Sequence, residues 1–489
     1  MSTTTLPYPT IAVEKKKTSA NRAKWLGFTV LTVAAVMDLL DSTITQTAAP
    51  AIRHDLSGNY ADLEWITAAY TLAMATMLMV GSRLGDMFGR RRVLLVSMIG
   101  FVGASMLCAA APTMSSLIAA RVLQGGIGAM MIPQGFGLIR ELFGDEGQQK
   151  AFGVFGPVMG LAAVAGPLVG GGLVDLNILG SSWRAIFFAN VPLGLGAFAL
   201  GLRFLPRNEA THRDSRLDWV SVGLVVAAAF GLVYPLIEGR QDGWPAWSFV
   251  MLAAGVVLLA AACGRQVQRV RRGRAPLFEP DLMRRRQFVS GLAVVIGFMG
   301  AMGGMIVTLN VMFQTGLGFS PLSSGVATVV IPVVAIVGSI TSSILLPKIG
   351  RTTMHAGLAI MALGLAVVVL VLHHVGGELS AWDLTGPLAL TGFGMGMVFV
   401  PMFDVILAGV EPRQIGSASG LLESTQQLGM SLGIAIVGTE LFDRIGNGHG
   451  RAIFVHSTAN ALIVAIGFLL AAFVAVGWLP KHARPSGGH

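Results

Sequence analysis

The chain has little charge and almost no cysteine. Only 12% of its 489 residues are Asp, Glu, Lys or Arg, about half the roughly 25% of soluble domains, and the mean hydropathy is +0.71. That balance excludes an ordinary water-soluble globule and leaves a polytopic membrane protein. The two cysteines, Cys108 and Cys263, fall at opposite membrane faces in the span assignment below, which excludes a disulfide framework, and neither has metal-site spacing. No cofactor or metal is expected. The nucleotide-phosphate signature G-x-x-x-x-G-K-[ST] is absent and no polar stretch is long enough for an ATPase domain, so an ion or substrate gradient must drive any transport. No Ser/His/Asp constellation supports an enzyme, and His373-His374 falls at a span end, where an interfacial position is the simpler reading. The net charge of +9 does not point to nucleic acid, because the basic residues lie between apolar runs instead of on a folded surface.

What is present is a series of apolar runs. We count fourteen, each near the ~20 residues that a hydrocarbon core requires. With the N-terminus inside, twenty-eight lysines and arginines fall on inner segments and four, Arg53, Arg240, Arg444 and Arg451, on outer ones. Cytoplasmic loops carry such an excess. Both termini are therefore expected in the cytoplasm and the protein in the cell (inner) membrane. Trp65, Trp183, Trp219, Trp244, Trp247, Trp382 and Trp478 fall at run ends, as interfacial tryptophans do.

The first run, Trp25 to Gln46, contains two carboxylates, Asp38 and Asp41. A charge at mid-membrane costs roughly 2.5–3.5 kcal/mol on insertion scales, so such residues face a protein interior or a water-filled cavity. Three residues apart, they share one helix face. An acid there can exchange a proton or pair with a cationic ligand; a structural acid bonded to backbone or to one arginine is the plainer alternative. In the fourth run Arg121-Val-Leu-Gln124-Gly125-Gly126-Ile-Gly128 buries an arginine that must have a partner, and Asp38 or Asp41 could serve.

Several motifs now converge. The loop Gly81-Ser-Arg-Leu-Gly85-Asp86-Met-Phe-Gly89-Arg90 resembles the inner-loop signature of the major facilitator superfamily, with a degenerate echo at Leu346-Pro-Lys-Ile-Gly350-Arg351 that suggests a six-span repeat. The Arg121 block is similar to the buried-arginine motif of that superfamily, and Ala165-Gly166-Pro167-Leu-Val-Gly170-Gly171 to the motif of its antiporter branches. Leu40-Asp41-Ser-Thr43-Ile44, Trp65 with Tyr70, Trp183-Arg184 with Asn190 and Pro192, Gln314 with Gly318, and Gly416-Ser-Ala-Ser419-Gly420 with Gln427 narrow the resemblance to the fourteen-span drug:proton antiporter family. It covers nearly the whole chain beyond the first residues.

The resemblance implies an all-α major facilitator fold. A cytoplasmic tail read as disordered (1–24) precedes a six-helix half (25–205), two inserted helices (206–264), a basic cytoplasmic connector (265–287), a second six-helix half (288–479) and a short tail (480–489). The eight arginines of the connector read as topology and lipid-headgroup anchors. The implied activity is export of an amphipathic drug or antibiotic in exchange for protons, by alternating access and without enzymatic chemistry. A proton-coupled uptake symporter or facilitator is the alternative, and a membrane sensor or enzyme the least supported. Proton coupling is assigned to Asp38, Asp41, Arg121 and Glu423; a conformational latch between the halves to Gly85, Asp86, Gly89 and Arg90; and an antiporter hinge, with a kink at the proline, to Gly166, Pro167, Gly170 and Gly171. The substrate cavity is assigned to Asp41, Gln124, Asn310, Gln314, Asp404, Glu423 and Gln427. Glu423 departs from the family core, where an amide or small polar residue is more usual. Asp404 also reads as a solvated interfacial acid. The expected partners are the drug or antibiotic, protons and the lipid bilayer, with no nucleic acid, and a monomer is expected because each chain carries both halves of a pathway.

Overall fold

The computed structural model describes residues 10–177, 180–207, 217–274, 276–375, 379–407, 410–411, 414–446, 448 and 450–479, and contains no β-strand among them. Fourteen membrane-length helices follow in chain order: α1 Thr10–Asp55, α2 Tyr60–Phe88, α3 Arg90–Ala109, α4 Met114–Gly144, α5 Gly153–Leu176, α6 Arg184–Phe204, α7 Trp219–Gln241, α8 Ala246–Arg271, α9 Arg286–Val311, α10 Pro321–Ile349, α11 Thr352–Val375, α12 Ala381–Leu407, α13 Ile415–Ile445 and α14 Arg451–Val476. Below, outer denotes the face at which the odd-numbered helices end, following the charge count.

Thirteen of these segments are long and apolar enough to cross a membrane. The exception, α13, has 31 residues, ample length, but a polar sequence. Its Ser424, Thr425, Gln426 and Ser431 are buried, and it is surrounded by α2, α7, α9 and α14. A helix enclosed by protein needs no apolar face toward lipid, so its low hydropathy reflects an interior position. By contrast α8 and α10 are mostly exposed and strongly apolar, as lipid-facing helices must be.

Two boundaries differ from the sequence reading. α1 begins at Thr10, so helix extends through residues expected in a disordered tail; Glu14, Lys15, Lys16, Lys17, Ala20 and Ala23 are good helix formers that prolong the apolar span. The C-terminal tail 480–489 lies outside the described residues. α4 and α5 form one path, Met114–Leu176, interrupted at Gly144 with φ 65° and ψ −178°, a conformation that glycine adopts without a Cβ clash.

Within the first half α1, α2 and α3 pack on the α4–α5 path and α6 on α1 and α3; within the second, α9 packs on α13 and α14, α12 on α10 and α11, and α11 on α14. The halves meet along α2 with α13 and α5 with α10. α7 and α8 pair with each other, and α7 touches both α2 and α13. At the inner end of this pair Asp218 receives Arg265 Nε and Nη2 at 2.9 Å each, with Arg269 at 3.4 Å. The Arg265 hydrogen bond chiefly holds the Asp218 carboxyl well below the usual carboxylate range, so this tie between α7 and α8 stays charged at any physiological pH.

Candidate functional site

The first half closes around Asp41. Arg121, fully buried on α4, forms an ion pair with it. Arg121 also donates to Gln124 Oε1 at 2.7 Å and from Nε to the Ile66 carbonyl at 3.2 Å. Gln124 Nε2 and Asn190 Nδ2 each donate to Asp41 Oδ1 at 2.7 Å, and the Ser105 hydroxyl oxygen accepts from the same two amides at 2.9 and 3.2 Å. The guanidinium lies 4.1 Å from the Tyr70 ring centre, a cation–π contact. Five helices, α1, α2, α3, α4 and α6, thus converge on one carboxylate. Local sequence explains part of this, since Arg121 and Gln124 at i and i+3 share a face of α4. Burying two charges costs several kcal/mol per ion unless further hydrogen bonds compensate, and removing one partner of such a pair costs about 3–5 kcal/mol.

Asp38 is treated differently. Its Oδ1 accepts from the Tyr70 hydroxyl of α2 at 2.5 Å. Glu423 accepts from Gln426 Nε2 at 3.2 Å. The two acids of α1 therefore share a face but not a partner set: Asp41 is held by Arg121, and Asp38 by Tyr70 of α2.

The second half contributes amides. After Val311 the helix widens into a π-turn, Met312–Gly316, a feature frequent at functional sites. From it Gln314 Nε2 donates to the Thr47 carbonyl of α1 at 2.7 Å, joining the halves. Asn310 Oδ1 accepts from Ser324 Oγ at 3.1 Å. Gln427 is half-buried, whereas Asp404 is exposed near the inner end of α12 and has no hydrogen bond to these groups among the described residues.

In the inner loop, Gly89 takes φ 87° to end α2 and start α3. Asp86 and Arg90 form an i,i+4 pair at 3.8 Å with both side chains partly exposed, inside the first half. The contact that leaves that half is made by Arg83, whose Nη2 donates to the Pro276 carbonyl of the connector at 2.5 Å. Three residues beyond Pro276, the Glu279 amide donates to Ser417 Oγ of α13 at 3.0 Å. Arg83 was legible as part of the motif but not as its bridging member.

The antiporter-type motif on α5 presents two faces. A Cβ on Gly166 would overlap the Thr43 side chain of α1, and one on Gly170 would come to 3.0 Å from Ile44 Cα. On the other face a Cβ on Gly171 would lie 2.5 Å from the Leu322 Cα, and one on Gly325 of α10 would lie 2.5 Å from the Pro167 carbonyl oxygen. Glycine thereby brings three backbones together. Pro167 itself keeps helical φ/ψ, and Gly144 is the non-helical residue in this path. The close approach expected of the flanking glycines is present on both faces.

Residues 31–434 match the Major Facilitator Superfamily. The chain belongs to this superfamily. It is a transporter and not an enzyme, and the two-half helical architecture is the superfamily's fold. It is similar to the Probable actinorhodin transporter of Streptomyces coelicolor, 42% identical over 87% of this chain and 73% of that protein. The Tetracenomycin C resistance and export protein of Streptomyces glaucescens is 31% identical over 100% of this chain and 89% of that protein. The Multidrug efflux pump LfrA of Mycolicibacterium smegmatis is 29% identical over 85% and 80%. Among solved structures, an auto inhibited POT family peptide transporter superposes with a TM-score of 0.66 at 15% identity, covering 95% of this chain and 99% of that one, which speaks to the fold alone. Tyr70, Ser105 and Asn190 join the Asp41 network although spacing along the chain gave no reason to group them; the lone small polar residue Ser105 carries no signal of its own in an apolar run.

Proposed function

We propose that this superfamily member exports an amphipathic drug or antibiotic from the cytoplasm in exchange for protons. The observation that carries the reading is the buried Asp41–Arg121 pair with a second buried acid, Asp38, beside it on α1. A proton reaching Asp41 would neutralise it and weaken its hold on Arg121, Gln124 and Asn190, which ties protonation to the packing of five helices. Asp38 and Glu423 then supply opposed acids for a cationic group of the substrate, and Gln314 and Asn310 supply neutral hydrogen bonds. Similarity to exporters of antibiotics and drugs supports the outward direction, as does the α5 motif. In this reading the protein sits in the inner membrane as a monomer with both termini cytoplasmic. The Asp86–Arg90 pair steadies the inner loop while Arg83 reaches the connector, and the α5 glycines form the surface on which the halves rock.

Everted vesicles loaded with a pH dye test the coupling. Adding a transported cationic dye should release protons from an acidified lumen; substrate accumulation with no proton movement would overturn exchange. A further expected result concerns Glu423. Glu423→Gln should weaken export of cationic compounds by roughly tenfold, about one charge-assisted contact, while neutral compounds of similar size are exported as before. Equal loss for both classes, measured in susceptibility panels at matched expression, would assign Glu423 to coupling instead.

A further inference from the structure

The inserted helices carry a charge pair that neither the transport reading nor the superfamily fold requires. Glu64 of α2 is completely buried, and neither carboxylate oxygen has a hydrogen-bond partner. Its counter-charge is Arg240 at the outer end of α7, whose Nη1 stands 3.6 Å away. The same nitrogen donates to the Gly438 carbonyl of α13 at 3.1 Å. One arginine from the inserted pair therefore touches α2 of the first half and α13 of the second.

The surroundings make this a sealed joint. A Cβ on Gly438 would overlap the Glu64 carboxylate, so the approach of α13 to α2 depends on glycine there. The Arg240 guanidinium lies 5.1 Å from the Phe442 ring centre, and Phe442 stacks on Tyr60 of α2 at 4.6 Å. Asn59 Nδ2 donates to Gln241 Oε1 at 3.3 Å, and Thr439 Oγ1 to the Leu236 carbonyl at 2.8 Å. Glu238 of α7 also bears on Glu64, but its Oε1 is engaged by the Trp65 indole at 2.7 Å. On α13, Glu440 and Arg444 pair with each other at the surface.

We propose that Glu64 and Arg240 are positioning residues that poise the outer seam between α2 and α13, with α7 as the strap. The physical basis is a balance. With the seam closed, two dehydrated charges offset each other at a separation too long for a hydrogen bond. With it open, water reaches both. Losing one charge leaves the other unpaired in the closed state and drives the seam open. Losing both removes the desolvation cost and tightens it. A contact that served only to hold helices together would give losses of one sign.

The test uses Ser431→Cys as reporter in the full-length protein in nanodiscs. Ser431 is buried on the seam with its hydroxyl 2.5 Å from that of Thr71. Maleimide labelling is timed without substrate, so the result does not depend on the proposed exchange of drug for protons. Arg240→Ala should label at least about tenfold faster than the reporter parent, and Arg240→Lys near the parental rate. The double variant Glu64→Gln with Arg240→Met should label no faster than the parent. Should Arg240→Ala fail to insert, Arg240→Gln, which keeps a donor for Gly438, is read in its place. Parental labelling in the single-charge variants, or a double variant as fast as Arg240→Ala, overturns the proposal. Arg444→Ala on the same face is the control for a surface pair and should leave the rate unchanged.

Discussion

Asp41→Asn is expected to reduce proton-driven export to background, a loss of roughly a hundredfold or more if Asp41 carries the proton. The variant keeps the shape of the side chain and can still accept hydrogen bonds from Gln124 and Asn190, which both donate to Oδ1. It loses the charge that compensates Arg121. An arginine left unpaired in that position costs about 3–5 kcal/mol, so lost transport alone would not separate a coupling role from simple destabilisation. The paired variant Asp41→Asn with Arg121→Gln removes both charges and should recover much of the thermal stability. If export stays at background in the stable double variant, Asp41 is a coupling residue. If export returns with stability, the ion pair is structural and the proton site lies elsewhere, with Asp38 the next acid to test. Detergent-extracted melting curves and vesicle exchange at equal protein level provide both readings.

Gly325→Leu is expected to slow turnover by roughly 5- to 150-fold, the range of a 1–3 kcal/mol bias between two states. A side chain there must displace the Pro167 carbonyl across the α5–α10 seam, because even a Cβ would stand 2.5 Å from it. None of the Asp41 partners is touched, so substrate affinity should change less than about threefold. Gly166→Leu gives the contrast. Its side chain collides with Thr43 on α1, two residues beyond Asp41, and should therefore weaken both binding and turnover. Normal single-turnover exchange by Gly325→Leu would mean that this seam does not separate during transport. Comparing the two variants isolates the face of the α5 motif that joins the halves from the face that packs within one half.

Most of the helices, their order and the membrane setting were legible in the chain, because hydrocarbon imposes length and hydropathy residue by residue. The polar α13 was legible only as one of a series, since its own hydropathy falls short. Asp41, Arg121 and Gln124 could be picked out singly: a charge or amide in an apolar run has to find a partner. Which partner it finds is a different matter. Asp38 and Asp41 occupy one helix face and are indistinguishable by spacing, yet Asp41 is caged by Arg121, Gln124 and Asn190 while Asp38 bonds Tyr70 instead. That division depends on where α3, α4 and α6 cross α1, which helical periodicity along one segment does not encode.

The same limit applies to the glycines and to Glu64. The sequence determined that the α5 motif would allow close approach, because glycine lacks a Cβ whatever surrounds it. Tertiary structure alone decided that Gly166 and Gly170 meet α1 while Gly171 meets α10. Glu64 reads in the chain as an acid beside an interfacial tryptophan at the start of a span. Only packing turns it into a dehydrated charge, by bringing Gly438 of one half and Arg240 of the inserted helices against it. The physical reason is that burial and pairing of a charge are properties of three helices at once, drawn here from residues 64, 240 and 438, and no local pattern fixes such a meeting.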